Sequence, residues 1–164
     1  MAFINLLRFV VTVSALTVAC SQTLANGNYH IKNVRDGTLA HNLNGATPPT
    51  LISFRNFSSV EASNFVWKVS KGAGDSGFTL TNVGSGNTAA VTNEEDAQVS
   101  GFANITTQFA IESAGNGDFV IKSPNADLLW DVITDLNFKF GFSFVPFLEP
   151  ASGGDAEKFQ FIAV

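Results

Sequence analysis

Apolar and polar residues alternate in three matching stretches: Tyr29-His-Ile-Lys-Asn33, Phe78-Thr-Leu-Thr-Asn82 and Phe119-Val-Ile-Lys-Ser123. Each sets an aromatic and an aliphatic two residues apart, which is the period of a half-buried strand. Their starts lie 49 and 41 residues apart. A second strand is predicted after each, over Thr38–Leu43, Asn87–Thr92 and Leu128–Ile133. A third ends in an aromatic: Leu51–Phe54, Val99–Phe102 and Phe140–Phe142. A fourth closes each unit: Trp67–Val69, Phe109–Ile111 and Phe159–Phe161. The links carry turn formers, as in Gly72–Gly77, Gly84–Asn87, Gly115–Gly117 and Ser152–Asp155. A short helical turn fits near Ser58–Ser63, and no helical periodicity stands out elsewhere after residue 25.

Four short strands repeated three times give the expected fold, an all-β β-trefoil of three four-strand repeats. One unit cannot bury its apolar face alone; three around a pseudo-threefold axis close a barrel and cap it. A sandwich or jelly roll would fit the strand spacing but not the threefold recurrence.

The first residues do not share this pattern. Arg8 is the only charge in Met1–Ala25, and an apolar run covers Phe9–Ala19. Thr23 and Ala25 then sit at the minus-three and minus-one positions of a cleavage after Ala25. This is the pattern of a secretory signal peptide over residues 1–25, with the trefoil over 26–164. The run is too short for a membrane span, which needs about 20 residues, so a membrane anchor is the weaker reading. Cys20 only faintly matches a lipoprotein signal, because Thr17 fits poorly three residues before it. An extracellular location makes two sequons relevant in a eukaryote: Asn56-Phe57-Ser58 and Asn104-Ile105-Thr106.

Composition narrows the function. The 164 residues are 45% hydrophobic and 14% charged, with a formal net charge of -5. No basic run exists, so nucleic acid is not the expected partner. One cysteine permits no intrachain disulfide, and with two histidines it offers no dedicated zinc site. No cofactor is expected. Nor is catalysis. No serine sits in a G-x-S-x-G elbow, and Ser85 lies in a Gly-Ser-Gly turn. Glu94, Glu95 and Asp96 read as a solvated loop, and no spacing singles out a carboxylate pair. The Gly-rich loops precede no helix, so no phosphate cradle is present. His30 reads as a solvent-facing strand residue.

The segment Gly27-Asn-Tyr-His-Ile-Lys-Asn-Val34, with Gly37-Thr-Leu39, the aromatic ending the third strand and Asn64-Phe-Val-Trp67, resembles the ricin B-type lectin family. The last piece looks like a degenerate Q-x-W signature. The resemblance covers Asn26–Val164 and is nearest the short fungal members. It implies a β-trefoil that binds galactose-type or related sugars, on glycans or glycoproteins, in shallow pockets. In such a pocket an Asp on the second strand accepts from sugar hydroxyls. An aromatic on the third strand stacks on the apolar face of the sugar, and an amide completes the set. Carried onto the third repeat, this implies Asp131, Phe142 and Asp155. In the first repeat it implies His41 at the Asp position, with Phe54 and Asn64. In the second repeat Val91 holds the Asp position, which leaves no acceptor.

Other roles compete for the same residues. The recurrence of Phe54, Phe102 and Phe142 equally suits core packing, and Trp67 reads as core. Trp130 precedes Asp131, so the two face opposite sides of a strand. Asp131 could instead bond a turn backbone. Phe138, Phe140, Phe142 and Phe144 alternate along one strand face, read as a buried face rather than a patch for a membrane or partner. The alternative function is a β-trefoil protease inhibitor acting through exposed loops, at Asn44–Thr50 with Pro48-Pro49 or at Ser123–Asp127 with Pro124.

Overall fold

The computed structural model describes residues 23–43, 47–73, 77–92, 94–124, 126–135 and 143–164. Residues 1–22, most of the segment 1–25 expected to be a signal peptide, lie outside them. The chain is a β-trefoil of twelve strands. Repeat 1 holds β1 (Gly27–Asn33), β2 (Leu39–Asn42), β3 (Thr50–Arg55) and β4 (Trp67–Lys71). Repeat 2 holds β5 (Phe78–Asn82), β6 (Thr88–Ala90), β7 (Ser100–Phe102) and β8 (Ala110–Gly115). Repeat 3 holds β9 (Asp118–Lys122), β10 (Leu128–Asp135), β11 (Ser143–Pro150) and β12 (Phe159–Ala163). Two 3-10 helices interrupt them, η1 (Ser59–Phe65) and η2 (Asp155–Glu157). None of the described helices is long and apolar enough to cross a membrane.

First and fourth strands close the barrel. β1 pairs with β12 and β4, β4 with β5, β8 with β9, and β9 with β12. A bridge from Phe78 to Phe109 completes the ring. Second and third strands form three hairpins, β2–β3, β6–β7 and β10–β11. The hairpins touch one another through Thr50 and Gly101, Phe144 and Phe54, and Gln98 and Phe147. Backbone groups of a lone hairpin edge would stay unpaired; the ring of contacts pairs them.

Threefold positions supply the core. Ile31, Leu80 and Ile121 are fully buried on the three first strands. Trp67, Phe109 and Phe159 hold the start of each fourth-strand segment and are equally buried. The ring of Phe159 lies 5.7 Å from Phe54 and 6.2 Å from Trp130, and Phe109 lies 5.1 Å from Trp130. Each such side chain contributes roughly 1.5–3 kcal/mol by leaving water. Trp67 also donates its indole N–H to the Ala40 carbonyl at 2.9 Å.

The turns repeat too. Asn33 N donates to Thr38 O, Asn82 N to Asn87 O and Ser123 N to Leu128 O, at 2.8–2.9 Å. Gly37 and Gly86 sit at φ of 76° and 73° in the first two turns, a region glycine enters without a Cβ penalty.

The third strand expected at Phe140–Phe142 lies outside the described residues, as do Phe138 and the rest of 136–142. The strand that pairs with β10 is β11, and its register sets Asp131 opposite Phe147 and Thr134 opposite Phe144. The described hairpin pairing of β10 is therefore with residues 143–150, which follow the expected segment in the chain.

Candidate functional site

In repeat 3, Trp130 and Val132 point into the core and are fully buried. Alternation therefore turns Asp131 to the other face of β10. Asp131 is half-buried there, and its Oδ1 is buried with no hydrogen-bond partner among the described residues. Burial raises its pKa above the ordinary Asp value, the Glu157 carboxylate adds to the rise, and Arg35 opposes it. Directly across the hairpin stands Phe147, also half-buried. Side chains opposite one another in this way lie about 4.5–5.5 Å apart at Cβ.

The loop before β7 fixes that wall. Asp96 N donates to Leu148 O, Leu148 N to Ala97 O, and Val99 N to Pro146 O, each at 2.9 Å. On the same face, Glu149 has a pKa raised by burial, by Asp96, which also bonds it, and by Asp131 and Glu95. The expected solvated loop at Glu94–Asp96 is exposed, but its backbone is a clamp on β11.

Two neighbours complete the third-repeat site. Glu157 on η2 is only 2% exposed and accepts from Ser152 N at 2.6 Å and Gly153 N at 3.0 Å. Arg35, in the turn between β1 and β2, holds its guanidinium 5.7 Å from the Phe144 ring centroid and 3.3 Å from Asp36. Asp155 faces solvent and accepts from Lys158 Nζ at 2.9 Å, so Glu157, not Asp155, is the inward residue of η2. Phe142 lies outside the described residues. Phe147, Glu157 and Arg35 escaped the sequence reading. Only the β10–β11 register and the docking of η2 and the β1–β2 turn bring them to Asp131.

The first-repeat set does not line an open cleft. His41 is 1% exposed, with its ring 4.7 Å from Phe65 and Nε2 3.3 Å from Glu61. Burial chiefly, and then Arg55, hold its pKa below the usual His value, against the pull of Glu61. Phe57 packs 5.4 Å from Phe65 and 5.6 Å from His30, which makes a stack of rings over this position. Phe54 is buried in the core, and so cannot stack on a ligand. Asn64 is buried, and its backbone carbonyl accepts from Asn82 Nδ2 at 2.7 Å. His30, expected to face solvent, is half-buried with Nδ1 3.0 Å from Phe65 O.

In repeat 2 the Val91 backbone is tied to Thr107 Oγ1, at 3.2 Å from N and 3.4 Å from O. Beside it lies a cleft of about 230 Å³ whose walls include Val91, Phe102 and Ile105, and no carboxylate. Of the two loops considered for a protease, Pro48 and Pro49 are exposed, and Thr50 at their foot is bonded to Asn42, Asn87 and Gly101. In the other, Asp127 pairs with Lys122 at 3.2 Å.

Residues 63–137 match the family model described as ricin-type beta-trefoil lectin domain-like. No curated protein matches the chain. Among solved structures, the Rhizoctonia solani agglutinin is 22% identical with a TM-score of 0.73, covering 87% of this chain and 99% of its own. ThreeFoil, a designed threefold-symmetric protein, is 17% identical with a TM-score of 0.71, covering 85% of this chain and 100% of its own. The Macrolepiota procera ricin B-like lectin, solved in complex with lactose, is 19% identical with a TM-score of 0.65, covering 87% and 99%. The chain is thus a β-trefoil that resembles the ricin B-type lectins, by sequence over residues 63–137 and by fold along its described length.

Proposed function

We propose that this protein is a secreted carbohydrate-binding protein, not an enzyme, and that its working site is in repeat 3. The observation that carries the site is the buried, unpartnered Oδ1 of Asp131 on a half-exposed side chain beside Phe147. A buried acceptor without a donor costs about 1–3 kcal/mol, and a ligand hydroxyl would remove that cost. Phe147 offers the apolar wall against which the C–H face of a sugar leaves water. Arg35 stands at the rim as a further donor. Galactose-type sugars on glycans or glycoproteins are the ligands this reading favours, since the similar Macrolepiota procera lectin is solved with lactose.

A glycan array with the wild type, Asp131→Asn and Phe147→Ala tests this. The expected result is binding that Asp131→Asn abolishes and Phe147→Ala weakens, with circular dichroism unchanged. Binding that survives Asp131→Asn would move the site elsewhere, and no binding to any glycan would defeat the lectin reading.

A further inference from the structure

We propose that Asn104 carries an N-linked glycan whose first N-acetylglucosamine packs on Phe102 and covers the apolar cleft beside it. This rests on the secretory leader expected over residues 1–25, and not on sugar binding by repeat 3. Two sequons are present with both acceptor amides exposed, and their surroundings differ. β7 ends at Phe102, and the chain bends at Ala103 and Asn104. Asn104 and Thr106 are both exposed, as the acceptor amide and its hydroxyl partner must be. Ile105 between them is 55% exposed, although it is a large aliphatic.

The cleft at this bend measures about 320 Å³ and is lined by Pro48, Phe102, Ala103, Asn104 and Ile105. The acceptor residue therefore forms part of the wall of an apolar cleft. The half-buried Phe102 ring, two residues before Asn104, supplies another part. An aromatic face takes the C–H side of a pyranose, and covering this cleft would remove apolar surface from water. Asn104 itself lines this cleft, so a sugar on its amide starts beside the apolar wall. The Asn56 sequon differs. Its Phe57 ring is engaged by His30 and Phe65, and the Ser58 carbonyl accepts from Glu61 N at 3.3 Å at the start of η1.

The modification itself is a group transfer from a lipid-pyrophosphate-linked oligosaccharide, supplied by the secretory pathway. The Asn104 amide nitrogen forms a bond to the anomeric carbon. The carbon–oxygen bond to phosphate breaks, lipid pyrophosphate leaves, and the amide loses one proton; nothing is oxidised or reduced.

The test is translation of the full chain into endoplasmic-reticulum microsomes, followed by intact mass and digestion with a peptide N-glycosidase. The expected result is a glycan lost in Asn104→Gln and kept in Asn56→Gln. An unmodified wild type, or a mass unaltered by Asn104→Gln, overturns the proposal. Protection from protease added outside the vesicles tells whether the leader or the acceptor failed. The packing is read separately on protein secreted from yeast. Enzymatic removal of the glycan is expected to lower Tm by about 2–4 °C, and to lower it less in Phe102→Ala and in the surface variant Ile105→Ser. An equal drop in all three, or no drop in the wild type, overturns the packing.

Discussion

The side-chain amide of Asn33 donates to the Ala156 carbonyl at 2.8 Å and so ties the first strand of repeat 1 to the last 3-10 turn of repeat 3. Asn82 makes the same bond one repeat on, from Nδ2 to the Asn64 carbonyl at 2.7 Å. Both residues end a first strand, and both are fully buried. The third position of the set is Ser123, also buried. Ring closure in this fold therefore has a polar component at matching sites, in addition to the shared apolar core.

These two asparagines differ on their other side, and that gives a prediction. Asn82 Oδ1 accepts from Gly84 N at 3.1 Å and Ser85 N at 3.0 Å. Asn33 Oδ1 is buried without a partner among the described residues. Gly84 N keeps a second acceptor, the Ser63 carbonyl at 3.0 Å, so removing Asn82 orphans the Ser85 N–H, whereas removing Asn33 orphans no donor at Oδ1. Urea denaturation should show a loss of about 3 kcal/mol for Asn82→Ala and about 1 kcal/mol for Asn33→Ala. Equal losses would mean that the Oδ1 bonds contribute nothing net.

Gly101 is expected to tolerate no side chain. It is buried on β7, where a Cβ would lie 2.5 Å from Thr50 Oγ1 and 2.7 Å from Asn42 Nδ2. Those atoms belong to a buried network that also holds Asn87, so they cannot swing aside without losing bonds. Gly101→Ala should cost about 1–3 kcal/mol by the same denaturation measurement. Gly86→Ala supplies a control: no atom lies within 4 Å, and its φ of 73° is the only source of strain.

The raised pKa of Asp131 has a definite sign in stability. Folding holds its proton more tightly than the unfolded chain does, so this group favours the fold at low pH. Its contribution falls as pH rises from below the ordinary Asp value of 3.8 to above the raised folded value. Asp131→Asn should remove that part of the fall. Glu149 is raised in the same direction and in part by the Asp131 charge, so the difference between the two Tm profiles against pH reads Asp131 together with its share of the Glu149 rise. Identical profiles would show that Asp131 is not perturbed.

Glu157 is expected to set the charge of Asp131. Glu157→Gln keeps the size of the side chain but removes the negative charge that helps raise the Asp131 pKa. The titration of Asp131, followed by carboxyl NMR, should move to lower pH. One of the acceptors for Ser152 N and Gly153 N becomes an amide nitrogen, so faster hydrogen exchange at residues 152–153 should accompany the shift.

The repeat was legible because burial repeats with it. Strands need alternation, and Tyr29, Phe78 and Phe119 with Ile31, Leu80 and Ile121 show it at matching points of the chain. The turn at Gly86, within the expected Gly84–Asn87 link, was legible for a similar local reason, a conformation that favours glycine. The opposite facing of Trp130 and Asp131 also followed from alternation alone. What the sequence by itself determined was this local periodicity, and through it the number of strands and repeats.

The site was a different matter. Whether Phe54 stacks on a ligand or fills the core depends on which way β3 turns when it meets β11, through Phe54 and Phe144. Which residue stands across from Asp131 depends on the register of β10 with β11, which sets Phe147 there, and alternation within one strand does not fix that register. Arg35 and Glu157 reach Asp131 only because barrel closure brings the first turn and η2 to one end of β10. Tertiary structure alone decided these pairings, because they join residues far apart in the chain whose contact no nearest-neighbour preference encodes.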